Sequence, residues 1–217
     1  MDDGFTAIQR VAVWLLPVLF AITVHEMAHG WAAFQLGDDT AKRLGRVSLN
    51  PIKHIDIVGT VILPILLLAL GGFILGWAKP VPVNFQQLRQ PRRDMALVAL
   101  AGPAANLIMA ILWTVIARIG WATSGLFAPA IFLVYVGDAG IFINCVLMIL
   151  NLLPILPLDG GRILHSLLPP ALATSFGRLE PYGLLILIIL LATNLLNYLL
   201  FPPIRFLYDG LLGLANG

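Results

Sequence analysis

The chain withholds charge over stretches long enough to cross a bilayer. Between Arg10 and Asp38 the only formally charged residue is Glu26, and the runs 57–78, 95–117, 139–158 and 181–204 carry none. A hydrocarbon core about 30 Å thick takes about 20 apolar residues of helix, and each run reaches that length. Composition agrees: 59% of residues are apolar and 11% charged, against about 25% charged in a soluble domain. Too few charges exist to cover a water-facing surface. Five or six membrane segments of about 20 residues leave little room for an appended soluble domain. The net charge of +2 gives no reason to expect nucleic acid as a partner. With Cys145 as the single cysteine, neither an intramolecular disulfide framework nor a multi-cysteine metal site is possible.

The sequence therefore predicts an all-α polytopic membrane protein, a helical bundle in a single domain over 1–217. Helices are expected at about 6–36, 95–118, 131–157 and 182–201, with a further membrane-inserted segment at 57–78. The acidic start Asp2-Asp3 is unlike a secretory leader, so the first apolar run reads as a retained membrane helix. Pro202-Pro203 is expected to end the last helix, and the tail after it reads as interfacial. Trp14, Trp31, Trp77, Trp113 and Trp121 fit interfacial belts or lipid-facing packing.

Eight of the 13 basic residues (Lys42, Arg43, Arg46, Lys53, Lys79, Arg89, Arg92 and Arg93) fall in two loops, 38–56 and 79–94. The positive-inside rule asks both loops to face the cytoplasm, which makes the protein a multi-pass protein of the plasma (inner) membrane with this face inward. A plain crossing by 57–78 would put the loops on opposite sides. Re-entry, bent at Pro64 or Gly71-Gly72, keeps them together, and such backbone is tolerated when buried in protein or lining a wet cavity. A plain spanning helix with one loop violating the charge rule is the alternative. Two loop pieces have a β-like pattern, the alternating 45–50 and the proline-spaced 79–84, and either could add a strand to an unfolded peptide.

The chemistry concentrates in His25-Glu26-Met27-Ala28-His29, an H-E-x-x-H pattern. On a helix, residues four apart share a face, so both imidazoles can hold one metal ion while Glu26 reaches the water it activates. A lone pentapeptide of this kind is weak evidence. Inside a membrane helix, where one ionisable residue costs about 2.5–3.5 kcal/mol on insertion scales, three within five positions call for a function. A catalytic zinc takes three protein ligands and keeps one position open. Candidates for the third are His54, Asp56, Asp138, Asp159 and His165. Asp159 stands out, because Pro154 and Pro157 open the end of an apolar helix before it and Gly160-Gly161 let the chain bend after it.

These residues resemble the site-2 protease family of intramembrane zinc metalloproteases. The resemblance covers most of the chain and rests on His25-Glu26-Met27-Ala28-His29, on Ala101 through Leu107 (Ala-Gly-Pro-Ala-Ala-Asn-Leu), and on 151–161 with Leu158-Asp159-Gly160 at its centre. It looks most like the short branch without PDZ or cystathionine-synthase-type (CBS) domains. It departs from the common pattern in lacking an extra helix before the zinc-binding one and in the 57–78 insertion. The resemblance implies one Zn2+ per chain held by His25, His29 and Asp159, Glu26 as catalytic base, and Asn106 and Asn151 lining the cleft. It also implies membrane-protein helices as substrates, cut in or near the bilayer. A metal-ion transporter or sensor using the same triad is the competing reading, and it would need no general base. Depth is consistent with the ligand set, since His29 lies 13 residues before Lys42 and Asp159 three before Arg162. Water must reach the metal, so a polar channel from the cytoplasm is expected, with Asn50, His54 and Asp56 near its mouth.

Overall fold

The computed structural model describes residues 6–62, 78–126 and 129–216. Helix α1 spans Ala7–Gln35 and starts at a capping box, in which the Thr6 hydroxyl accepts from Gln9 N–H and the Gln9 side chain accepts from Thr6 N–H. After a turn at Leu36-Gly37 comes the short α2, Thr40–Arg43. The long α3 covers Pro91–Thr123 and α4 covers Ala130–Asn151. Then follow α5 (Asp159–Leu167), α6 (Pro170–Gly177), α7 (Gly183–Ala192) and α8 (Leu195–Asn216).

Among the described residues, four stretches are long and apolar enough to cross a membrane: Ile8–Gln35, Pro91–Thr123, Ala130–Asn151 and the run Pro170–Ala192. They differ in depth within the bundle. Half of the α4 window is buried against 6% of the Pro170–Ala192 window, so α4 is central and α6–α7 peripheral. On α3, Ile108, Leu112, Val115 and Ile119 recur at helical spacing and stand about half exposed, a face suited to lipid rather than water. The opposite face packs on α4 through small residues, with Gly137 against Ala117 and Gly140 under the Trp113 ring. Trp113 is consequently a core residue, 6% exposed, while Trp14, Trp31 and Trp121 remain outside as expected; Trp77 lies outside the described residues. Helix α8 lies across α3 and α4, joining the cluster of Val13, Ala110, Cys145 and Ile141 through Ile204 and Ala215. The Tyr208 hydroxyl donates to Asp138 Oδ1 at 2.5 Å, which gives the acidic group within α4 a partner.

The basic loops meet at one end. Arg89 N–H donates to Leu36 O, which ties the start of α3 to the end of α1. Asp38, wholly buried, accepts from Thr40 N–H and from Asn84 N–H. At the flanks of the 57–78 segment, Lys79 N–H donates to His54 O at 2.9 Å and Arg46 reaches Lys79 O. The two ends of that segment therefore sit side by side. Residues 57–62 form one wide helical turn; the bend expected at Pro64 or Gly71-Gly72 lies outside the described residues.

Several boundaries differ from expectation. Helix α4 stops at Asn151, six residues early, because Pro154 and Pro157 force the 152–158 stretch into turns. The run expected at 182–201 breaks after Ala192, where Thr193 caps the helix and Asn194 takes φ +59°, a left-handed conformation Asn tolerates. Helix α8 then continues through Pro202-Pro203 and absorbs the supposed interfacial tail. Two missing N–H groups cost ladder bonds, yet membrane helices accommodate such breaks when neighbours pack against them, as Ile204 does. Among the described residues neither β-like piece forms a strand: 45–50 runs from a turn into bends at 47–49, and 78–84 carries no regular secondary structure. Proline at 80 and 82 removes every second donor.

Candidate metal centre

One face of α3 organises the site. Val98, Gly102 and Asn106 succeed each other at intervals of four, and the two histidines of α1 lie across them in antiparallel order. His29 Nδ1 meets Val98 O at 2.7 Å, and His25 Nδ1 meets Asn106 Oδ1 at 2.5 Å. A carbonyl only accepts, so the His29 proton sits on Nδ1. The same holds for His25, because Asn106 spends its Nδ2 on Ala21 O (3.3 Å) and Asn144 Oδ1 (2.9 Å) while Asn144 spends its own Nδ2 on Gly140 O (2.8 Å). That chain of fixed carbonyls settles both amide orientations. Both Nε2 atoms are left as bare lone pairs. Between the rings Gly102 supplies the space: a Cβ there would stand 2.5 Å from His29 Nε2 and 2.6 Å from His25 Cε1.

Asp159 arrives from the other side of the bundle at the first position of α5. Gly161 lets this helix lie against the 152–156 turn, where a Cβ would meet the Ile155 carbonyl carbon at 2.5 Å. Asp159 is 8% exposed.

Asp159 Oδ2 lies 3.2 Å from His25 Nε2 and 3.3 Å from His29 Nε2, and the two Nε2 atoms are 3.1 Å apart. Three lone-pair atoms face one point, and Asp159 Oδ2 is buried without a hydrogen-bond partner. A divalent cation resolves this arrangement. Zinc bonds of about 2.0 Å to nitrogen and oxygen put tetrahedral ligand atoms about 3.3 Å apart, which the observed separations match. Two nitrogens and one carboxylate also form a usual catalytic zinc set.

The triad opens on a cavity of about 130 Å³, lined also by Glu26, Asn151, Arg162 and the extended residues Pro80, Val81 and Val83. That volume holds several waters, each needing about 10–15 Å³ by this measure. Glu26 Oε2 accepts from Val81 N–H at 2.9 Å. Asn151 Nδ2 donates to Leu147 O at 3.0 Å.

Of the expected site residues, His25, Glu26, His29, Asp159 and Asn151 come together at this cavity. Asn106 does not line it; it is fully buried behind His25. Asn50, His54 and Asp56 are also elsewhere. Asn50 and Asp56 cap the turns that follow them, and His54, 2% exposed, donates from Nε2–H to Ser48 O. Their polar side chains satisfy loop backbone, which is the commoner use of such residues. Neither Asp138 nor His165 belongs to the cluster. Sequence reasoning missed Asn144, Gly102's contact with the rings and the Val98 carbonyl. A lone Asn in an apolar helix is a usable signal for the first; a backbone carbonyl leaves none.

Fold and site thus define a multi-pass membrane protein with a buried two-histidine, one-aspartate cluster that could hold a metal ion, and an adjoining glutamate. The profile of peptidase family M50 matches residues 13–128 and 122–193. YwhC of Bacillus subtilis, which bears a zinc metalloprotease name, is 38% identical over 204 residues, covering 93% of this chain and 90% of that one. Rip2 of Mycolicibacterium smegmatis, named likewise, is 32% identical over 211 residues, covering 95% and 78%. Rip2 of Mycobacterium tuberculosis (strain H37Rv) is 31% identical over 200 residues, covering 92% and 72%. No solved structure matches the chain significantly. The chain belongs to peptidase family M50, the site-2 protease family of zinc metalloendopeptidases.

Proposed function

We propose that this protein is an intramembrane zinc endopeptidase that hydrolyses peptide bonds in or near transmembrane helices of membrane-protein substrates, with Glu26 as general base. The observation that carries the reading is the carboxylate of Glu26 in the same cavity as His25, His29 and Asp159. Transport or sensing through the same three ligands needs no base there. A bound zinc ion supplies Lewis-acid polarisation of the scissile carbonyl and lowers the pKa of water to about 7.

The chain's own groups do the rest. Hydrogen bonds from both Nδ1 atoms fix the ring orientations and raise ligand basicity. We read Asn106 as a positioning residue that acts through His25, itself held by Asn144. Glu26 keeps one oxygen on Val81 N–H and has the other to take the proton from the attacking water and hand it to the leaving amine. Asn151, its amino group committed to Leu147 O, has its carbonyl oxygen for a substrate N–H. An α-helix about 10–12 Å across with its side chains does not fit a cavity this small, so the substrate must unwind first. The extended 79–84 segment is the natural rail for the unwound strand. The basic residues gathered at this end support a cytoplasmic-facing site in the plasma membrane.

The test is cleavage of a reporter transmembrane helix by the full chain in liposomes. Glu26→Gln is expected to abolish cleavage while zinc content stays at one per chain. Unchanged cleavage by that variant would overturn Glu26 as the base, and a zinc-loaded parent that does not cleave would favour a metal site without hydrolysis.

A further inference from the structure

Peptide hydrolysis at this centre develops a negative charge on the scissile carbonyl oxygen, which a hydrogen-bond donor can stabilise in addition to the Lewis acidity a bound metal would supply. As water adds to the carbonyl carbon, the C=O π pair moves onto oxygen, and preorganised donors aimed at that oxygen carry much of the rate enhancement. The argument that follows rests on the hydrolytic reading above. Most polar groups around the cavity are unable to serve. Glu26 and Asp159 are acceptors. Both imidazole protons are spent on Asn106 Oδ1 and Val98 O, the Asn151 amino group on Leu147 O, and the Val81 N–H on Glu26. Pro80 and Pro157 have no N–H.

Among the described residues Arg162 is the one Lys or Arg side chain lining the cavity. It lies three residues after Asp159 on α5, hence on the same helix face. Its Nε–H donates to Pro157 O at 3.2 Å, which pins the guanidinium beside the cavity wall and leaves Nη1 and Nη2 without a partner among the described residues. The anchor costs none of the Nη donors, and a planar fork with one edge fixed loses little further freedom on binding an anion.

We propose that Arg162 is a catalytic residue, donating from its Nη groups to the scissile carbonyl oxygen as it becomes an oxyanion. The sequence of events balances. Glu26 accepts the water proton as the new C–O bond forms, and Arg162 holds the resulting C–O⁻. The oxyanion then re-forms C=O as the C–N bond breaks, and the nitrogen takes the proton from Glu26. Arg162 gains and loses no proton.

Steady-state cleavage of a fluorogenic transmembrane peptide by the zinc-loaded full chain in detergent tests this, with Arg162→Ala, Arg162→Gln and Glu26→Gln measured in parallel. Arg162→Ala is expected to lower kcat about 10²–10³-fold, to leave KM within about twofold, and to keep zinc content and melting temperature. Millimolar methylguanidinium should restore part of the lost kcat in Arg162→Ala and do nothing to the parent. Binding of the uncleaved peptide to Glu26→Gln should be the same with and without Arg162→Ala. A parental kcat in Arg162→Ala, a loss residing wholly in KM, or a loss of zinc in both Arg162 variants overturns the proposal. If only Arg162→Ala fails to fold or bind zinc, Arg162→Gln decides, reduced kcat supporting the role and parental kcat refuting it. No zinc-dependent cleavage by the parent chain sinks the underlying hydrolytic reading instead, and parental cleavage by Glu26→Gln removes Glu26 as the base, whereas an inactive Glu26→Gln beside a fully active Arg162→Ala removes Arg162 alone.

Discussion

Replacing Gly102 with alanine adds a single methyl group at the point where the two histidine rings proposed to bind zinc are most constrained. The new Cβ would stand 2.5 Å from His29 Nε2 and 2.6 Å from His25 Cε1. To regain ordinary contact at about 3.5 Å, the rings must retreat by about 1 Å. They have nowhere equivalent to go, because Val98 O and Asn106 Oδ1 hold the two Nδ1 atoms from the same face of α3. A zinc site tolerates about 0.2 Å in ligand distance, so the displacement is several times what coordination allows. Breaking the outer hydrogen bonds of a metal histidine costs about 10–100-fold in affinity, and Gly102→Ala should reach at least the upper end of that range. At about 1.4 kcal/mol per tenfold the loss is about 3 kcal/mol. Competition with a zinc-selective chelator, read by released metal per chain, measures it directly. Gly125→Ala is the control, since a Cβ there meets nothing within 4 Å, and it should bind zinc as the parent does. Parental zinc affinity in Gly102→Ala would refute the account of why this glycine stands between the rings.

Two further outcomes follow from the same geometry. Asn106→Leu keeps the buried volume but removes the acceptor from His25 and strands Asn144; zinc affinity should fall about 10–100-fold, measured by the same chelator competition, while cleavage-site choice, read by mass spectrometry of products, stays the same. Removing zinc with a chelator should abolish cleavage and lower the melting temperature, because a ligand that binds only the folded state at about 100 times its Kd contributes about 2.7 kcal/mol. Restoring zinc should return both, and a melting temperature indifferent to zinc would contradict a ligand set preformed by folding.

What the sequence determined is what short-range periodicity can encode. Charge-free runs mark helices because a bilayer admits little else, and the four-residue spacing of His25 and His29 puts two ligands on one face of α1 whatever the rest of the chain does. The expected first helix, 6–36, and the observed Ala7–Gln35 nearly coincide for that reason. Where local signals compete, they misled: hydropathy carried one helix through Ala192 and Asn194, although a single left-handed Asn ends it, and the proline rule stopped a helix at Pro202-Pro203 that packing carries onward. The tertiary structure alone decided the third dimension of the site. Asp159 is 130 residues from His29 in the chain, and its arrival depends on α5 lying against the 152–156 turn. Asn106 looked like a cleft residue from its motif, yet the antiparallel crossing of α1 and α3 turns it behind His25. Arg162 served in the sequence only to mark depth, and becomes a candidate for the reaction once the fold puts it on the wall of the same cavity. Ligand spacing is local and legible; the orientation of those ligands and the donors around the reacting carbonyl come from contacts between distant segments, which no window along the chain contains.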